Sequence, residues 1–326
     1  MDITTNPISS YIGSFFQKNY VYAAGMNLVW QELKENIFHD DVRISIHDQE
    51  ILSLVQSLND FSLKDEDLYS QNYYVKAGFG QETIEIIKHD LRHKFPQKNF
   101  QDFQFKLSPQ DLVAYAFLFQ NVEYLVPFTI GKIFFEDINT PPGQLPPEVR
   151  GFRAETLEQK SNIFILSYTN PQRFIVRLKL RQEEEEIFLV KGFSEMNADQ
   201  LVKMLQPFFQ VPGETLQEQD YFHMPMLHLD HTYRYDALIG QKLANKGFEN
   251  YRIAEMRERI LFAMDEKGAR VENEAFMAAP SAAEESGPLP KYFYLDKPFW
   301  VLMKRKGSLR PYFILGVNTT DLMERV

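Results

Sequence analysis

At 326 residues, 44% of them hydrophobic and 14% aromatic, the chain is long enough to bury a large core without covalent staples. It contains no cysteine, which excludes disulfide frameworks, thiolate nucleophiles and zinc–thiolate sites. A formal charge of −10 argues against a nucleic-acid surface, and no apolar run approaches the length of a membrane span. The first residues, Met1-Asp2-Ile3-Thr4, carry no basic segment followed by an apolar run. A cytoplasmic location is therefore expected, or a secreted one if the chain is a mature form.

Along the chain, Met26, Val29, Trp30, Leu33 and Ile37 recur at helical spacing, predicting an amphipathic helix over 21–37. A second helix is expected over 81–95, where Ile84, Ile87 and Leu91 form the apolar stripe. Between them the sequence is mixed, with Ile44, Ile46, Ile51, Leu52 and Leu54 the core candidates. Residues 111–128 are apolar on both alternating faces, through Val113, Tyr115, Phe117, Phe119 and Val122, and predict a strand buried on both sides of a large sheet. Four prolines and a glycine in 138–148 make a connector that no central ladder accepts.

Two strands follow, 174–180 and 187–193, and the glutamates 183–186 between them read as a solvated hairpin tip, because like charges repel and seek water. Helices are expected over 197–209 and 235–248. Strands at 260–264, 300–303 and 312–317 close the chain. Helices and strands intermix without βαβ alternation or repeat, so the expected class is α+β in one domain, 1–326.

Histidine spacing bears on metal chemistry. His89 and His93 stand at i, i+4 with Asp90 where a zinc-protease helix carries Glu, and without a third ligand they read as surface histidines. His223, His228, Asp230 and His231 fall within nine residues, but in a strand His231 points away from the face shared by His228 and Asp230. A metal-dependent hydrolase on these residues is the least favoured reading. No nucleophile elbow, phosphate loop or dinucleotide fingerprint occurs, so an enzyme is not expected, and neither is a cofactor or a metal.

Between the last strands lies a Pro-, Ala- and Glu-rich stretch, 268–297, too long to be an ordinary connection and expected to be an exposed loop, with the C-terminal strands in 298–326. Asp265-Glu266-Lys267-Gly268 before it, Lys297-Pro298-Phe299 with Trp300-Val301-Leu302-Met303 after it, and Pro311-Tyr312-Phe313-Ile314-Leu315-Gly316-Val317 beyond resemble the serpin family. Pro225, Tyr235-Asp236-Ala237-Leu238 and Gly247-Phe248 are similar to the segment before the family's hinge strand, and Ala116, Phe119 and Pro127-Phe128 to its central strand. The resemblance covers about a hundred C-terminal residues. The chain is shorter than a usual member, with the shortening before Gly268, and the family's Ser-Pro segment is not found in it.

The resemblance implies a large central mixed β-sheet with packed helices, and a reactive-centre loop that a protease cleaves before its hinge inserts as a new central strand. Insertion turns every second residue inward. Counting from Gly268, the inward set is Ala269, Val271, Asn273, Ala275 and Met277, and the charges of Arg270, Glu272 and Glu274 fall outward. The expected scissile region is Ala282, Ala283, Glu284 and Glu285. With no Lys or Arg between Arg270 and Lys291, a trypsin-like acidic pocket has nothing to bind, and the expected partner is a serine or cysteine protease preferring small residues. The alternative is a non-inhibitory binding or structural relative that has lost insertion. A monomer is expected, without nucleic-acid or membrane partners.

Overall fold

The computed structural model describes residues 11–64, 67–68, 73–100, 103, 106–120, 123–267 and 289–326. In chain order the elements are β1 (Ser14–Phe16), β2 (Asn19–Ala23), α1 (Gly25–Glu32), a wider π turn (Leu33–Phe38), α2 (Gln49–Asp60), β3 (Tyr73–Phe79), α3 (Gly80–Lys94), β4 (Asp111–Gln120), β5 (Thr129–Phe134) and β6 (Glu148–Ala154). There follow α4 (Leu157–Lys160), β7 (Ile163–Asn170), β8 (Arg173–Leu178), β9 (Glu185–Lys191), α5 (Ala198–Leu205), β10 (Glu214–Thr215), β11 (Tyr221–Pro225), β12 (Leu227–Arg234), β13 (Arg252–Met264), β14 (Tyr292–Tyr294), β15 (Phe299–Arg305) and β16 (Phe313–Val317). The class is α+β. The described residues divide into two compact units, the first of those within 11–12, 23–119 and 230–261, the second of those within 13–22, 120–229 and 262–326.

The first unit is built around a four-stranded sheet ordered β12-β13-β4-β3. Strict alternation in β4 covers both of its faces, as the sequence predicts. Leu112, Ala114 and Ala116 face a cluster with Met26, Val29, Trp30 and Leu33 of the α1 stripe, while Val113, Tyr115 and Phe117 face Ile84, Ile87 and Leu91 of α3. At about 25–30 cal/mol per Å² of apolar surface, these two clusters dominate what holds the unit together. No helix is expected from the sequence where α2 lies. Its start is set by Asp48, whose carboxylate accepts from the N–H groups of Glu50 and Ile51 at 2.9 and 3.3 Å.

The sheet is mixed. β3 and β4 pair antiparallel from Tyr73↔Leu118 to Phe79↔Leu112. β12 and β13 are antiparallel, because Asp230 meets Arg259 while Arg234 meets Glu255. β4 and β13 run in the same direction: Arg252 N–H donates to Gln110 O at their starts, and beyond their ends Tyr124 N–H donates to Lys267 O.

The second unit holds two sheets. One has eight strands in the order β1-β2-β16-β15-β9-β8-β7-β10, with β15 antiparallel to both β9 and β16; the other has four, β14-β11-β6-β5. The glutamate run behaves differently from the expected hairpin tip. Glu183 and Glu184 are exposed, but Glu185 and Glu186 are buried within β9 opposite Arg305 and Lys304. Glu186 is held by Arg177 at 3.0 Å and Lys304 at 2.6 Å, and Glu185 accepts from the Tyr312 hydroxyl. Burial pushes the Glu185 carboxyl up to about 7. Opposite charges and a phenol offset there the repulsion that the sequence reading assigns to water.

The helix expected over 235–248 is absent. Its backbone groups are taken by neighbouring segments instead: Gly240 N–H donates to Ile253 O, Leu243 N–H to Tyr251 O and Ala244 N–H to Arg43 O. Leu238 and Leu243 are buried as expected, but without the helical period that the spacing implies. The helix expected from residue 21 begins at Gly25, because Val21 lies in β2; the strand expected over 111–128 ends at Gln120.

Candidate functional site

Two features bear on function, taken each within its own unit: two anchored chain ends in the second, and the strand pair β4–β13 in the first. The hinge residues Gly268, Ala269, Val271, Asn273, Ala275 and Met277, and the scissile candidates Ala282, Ala283, Glu284 and Glu285, lie outside the described residues. What precedes and follows them is held firmly. At the exit, Tyr124 N–H donates to Lys267 O at 3.0 Å, Phe128 N–H to Glu266 O at 2.7 Å, and Lys267 N–H to the Asp265 carboxylate at 2.8 Å. Tyr124 is fully buried, and burial drives its phenol well above the ordinary range.

At the return, the buried Asp220 accepts from Gln217 N–H and Lys291 N–H, both at 2.9 Å. Tyr221 N–H then donates to Lys291 O, and β14 runs parallel to β11 with Tyr221↔Tyr292 in register, their rings stacked at 5.1 Å. The last part of the expected loop thus includes a short edge strand. Immediately after it, the buried Lys191 ammonium holds Asp296 and also donates to Tyr294 O at 2.7 Å. Burial pushes that ammonium down, and Asp296 opposes the shift. These backbone and charged contacts fix where the segment ends, while the segment itself spans 268–288.

The strand pair contains a buried group that the sequence reading does not single out. Glu258, in the middle of β13, is fully buried where β13, β4 and the start of α1 converge. A Cβ on Gly25 would lie 2.5 Å from Glu258 Oε1 and 2.8 Å from Ala116 Cβ, so only glycine lets the three elements approach this closely. Tyr235 donates to Glu258 Oε2 at 3.3 Å. Oε1 has no hydrogen-bond partner; the N–H groups of Gly25 and Met26 favour negative charge there without completing a bond. Burial outweighs these and pushes the carboxyl up to about 8, so it is protonated at neutral pH. Its signal in the sequence is Met256-Arg257-Glu258-Arg259-Ile260, where alternation groups Glu258 with two apolar residues.

The histidine clusters take structural places. His89 and His93 are exposed on α3. His223, on β11, is largely buried, and desolvation with the charge of Arg153 lowers it to about 4, keeping the ring neutral. His228 is exposed, His231 half-buried, and Asp230 is held by Arg259 through contacts of 3.0 and 2.8 Å. Among the described residues no three His, Asp or Glu side chains gather as a metal site.

No family model matches the chain, and no curated protein sequence does. Solved structures do. The chain is similar to the Manduca sexta serine protease inhibitor serpin-12, with 11% identity, 92% of each chain covered and a TM-score of 0.57. It is also similar to tengpin, a thermophilic serpin in its native state, with 12% identity over 91% of this chain and 84% of that one, and a TM-score of 0.50. At such identities the likeness is one of architecture. Two anchored ends, parallel β4 and β13 beside each other, and near-complete coverage give the conclusion that this chain is built on the serpin fold.

Proposed function

We propose that the protein is a serpin-like protease inhibitor, a single-domain monomer whose 268–297 segment is bait for a serine or cysteine protease that prefers small residues. One observation carries the reading: β4 and β13 are parallel neighbours, and the segment leaves from the C-terminal end of β13. A chain folding back from that end between them runs antiparallel to both. Two new antiparallel ladders then replace one parallel ladder, a favourable exchange once cleavage frees the segment.

In this reading the catalytic group belongs to the target. The protease's serine or cysteine attacks the carbonyl of the scissile bond near Ala282–Glu285, the new amino terminus departs, and the acyl bond to the protease persists because insertion of Ala269 to Met277 carries it away from water. Absence of Lys and Arg between Arg270 and Lys291 supports a target with a small specificity pocket. The test is incubation with an elastase-type and a subtilisin-type protease. A complex that survives denaturing detergent is expected; cleavage at 282–285 with free, active protease would overturn inhibition.

The second reading, a non-inhibitory relative, draws support from Asn273, which falls in the inward set and needs a buried partner for its amide. It predicts cleavage without trapping and without a gain in thermal stability.

A further inference from the structure

We infer that the open cleft beside α3 is a binding site for a small oligophosphate. The cleft, of about 560 Å³, lies in the first unit between the second half of α3 and the segment that follows it. That volume is within the usual range for small-molecule sites. Lys88 and Arg92, one helical turn apart, line one side, and Lys98 with Asn99 lines the other; Phe100 and the buried Phe103 supply the apolar part.

Three features separate this cleft from an ordinary solvated helix face. Its cations gather against the grain of a chain whose formal charge is −10. Its far wall is braced, because Arg259, itself fixed on Asp230, donates to Asn99 O at 2.9 Å, and Lys98 Nζ sits 4.1 Å over the Phe119 ring. Arg92 has no carboxylate at ion-pair distance among the described residues, so its planar fork is available to an oxyanion pair.

Among the described residues the cleft contains one acid, Glu85, and that acid selects among anions. Glu85 is bound by Lys88 at 2.9 Å, and this contact, foremost among its surroundings, lowers its carboxyl, keeping it an acceptor. Near pH ~6, where its second ionisation is about half complete, a phosphate group retains a proton to donate to such an acceptor. A sulfonate or sulfate ester has none. The combination of cations around the Glu85 carboxylate therefore fits a phosphate chain better than a sulfated one.

The experiment is calorimetric titration of the full chain at about pH 6, where the phosphate groups retain protons, with inorganic tripolyphosphate, together with methylenediphosphonate and methanedisulfonate as a matched pair. Saturable binding of tripolyphosphate and methylenediphosphonate is expected, with weaker binding of the disulfonate. Arg92→Ala and Lys98→Ala should each weaken tripolyphosphate about tenfold. Lys132→Ala, on the exposed β5 edge of the second unit, should leave it unchanged. Absence of saturation, equal weakening by all three substitutions, or equal affinity for the diphosphonate and the disulfonate would each overturn the assignment. Arg92 is exposed and Lys98 half-buried, so the melting temperature of each variant is measured alongside to show that the fold is kept, and the outcome is independent of whether the protein traps a protease.

Discussion

Glu258 is a carboxyl that the fold keeps protonated, and this makes the stability of the first unit depend on pH. Its folded value is about 8 against an ordinary 4.5. A group with a raised folded value favours folding only while it holds its proton. The contribution is whole below about 4.5, declines as pH rises from there, and is lost above about 8. A tenfold change in proton affinity corresponds to about 1.4 kcal/mol, so the full effect is on the order of a few kcal/mol. Replacement Glu258→Gln keeps the shape and removes the proton. Melting temperatures measured between pH 5 and 9 should therefore fall more steeply for the native chain than for Glu258→Gln, with the variant the more stable above pH 8. Parallel slopes would sink this account. Glu185 contributes in the same direction in the second unit, which is why the comparison must be between the two chains.

At the scale of elements, the turn after β9 has the least tolerance. Gly192 sits at φ of +87°, and a Cβ there would lie 2.3 Å from Gln172 O. Backbone cannot yield as a flexible side chain does. Gly192→Ala should destabilise by about 2–4 kcal/mol, from the left-handed conformation and the clash together, read as a lowered denaturation midpoint with unchanged denaturant dependence. The same scale shows where sequence patterns succeed. Ile84, Ile87 and Leu91 in α3, and the alternation of β4, each follow one period over several turns or pleats, and one buried surface enforces them. The 235–248 segment departs from its pattern because its apolar residues meet a core while its backbone bonds to β13 and to Arg43, a choice made by partners far away in sequence. α2 is hard to see because polar Gln49, Glu50, Ser53 and Gln56 surround Ile51, Leu54, Val55 and Leu58, which do recur at helical spacing.

At the scale of the whole molecule, the proposed function makes stability the readout. Insertion of the 268–277 stretch between β4 and β13 would pair it on both edges, so loop-cleaved protein should melt about 10 °C or more above the intact chain. Scanning calorimetry before and after nicking measures this, and an unchanged or lowered melting temperature would favour the non-inhibitory reading. The cleft beside α3 is more local: Lys88 and Arg92 share one face of the helix, and folding brings the segment carrying Lys98 and Asn99 opposite them.

Sequence alone determined the α+β class, the two-faced burial of β4, the paired strands of the C-terminal region and the Pro-, Ala- and Glu-rich composition of 268–297, including the lack of a basic residue between Arg270 and Lys291. Each of these is set by local periodicity, by turn chemistry or by residue type, and needs no distant partner to be legible. Tertiary structure alone decided that β4 and β13 are parallel neighbours, that Glu258 is enclosed by Gly25, Ala116 and Tyr235, that Glu185 and Glu186 are buried against Tyr312, Arg177 and Lys304, and that α3 presents a cationic cleft. Those facts depend on residues brought together from separate parts of the chain, whose charges and hydrogen bonds acquire meaning only when packing removes the water between them.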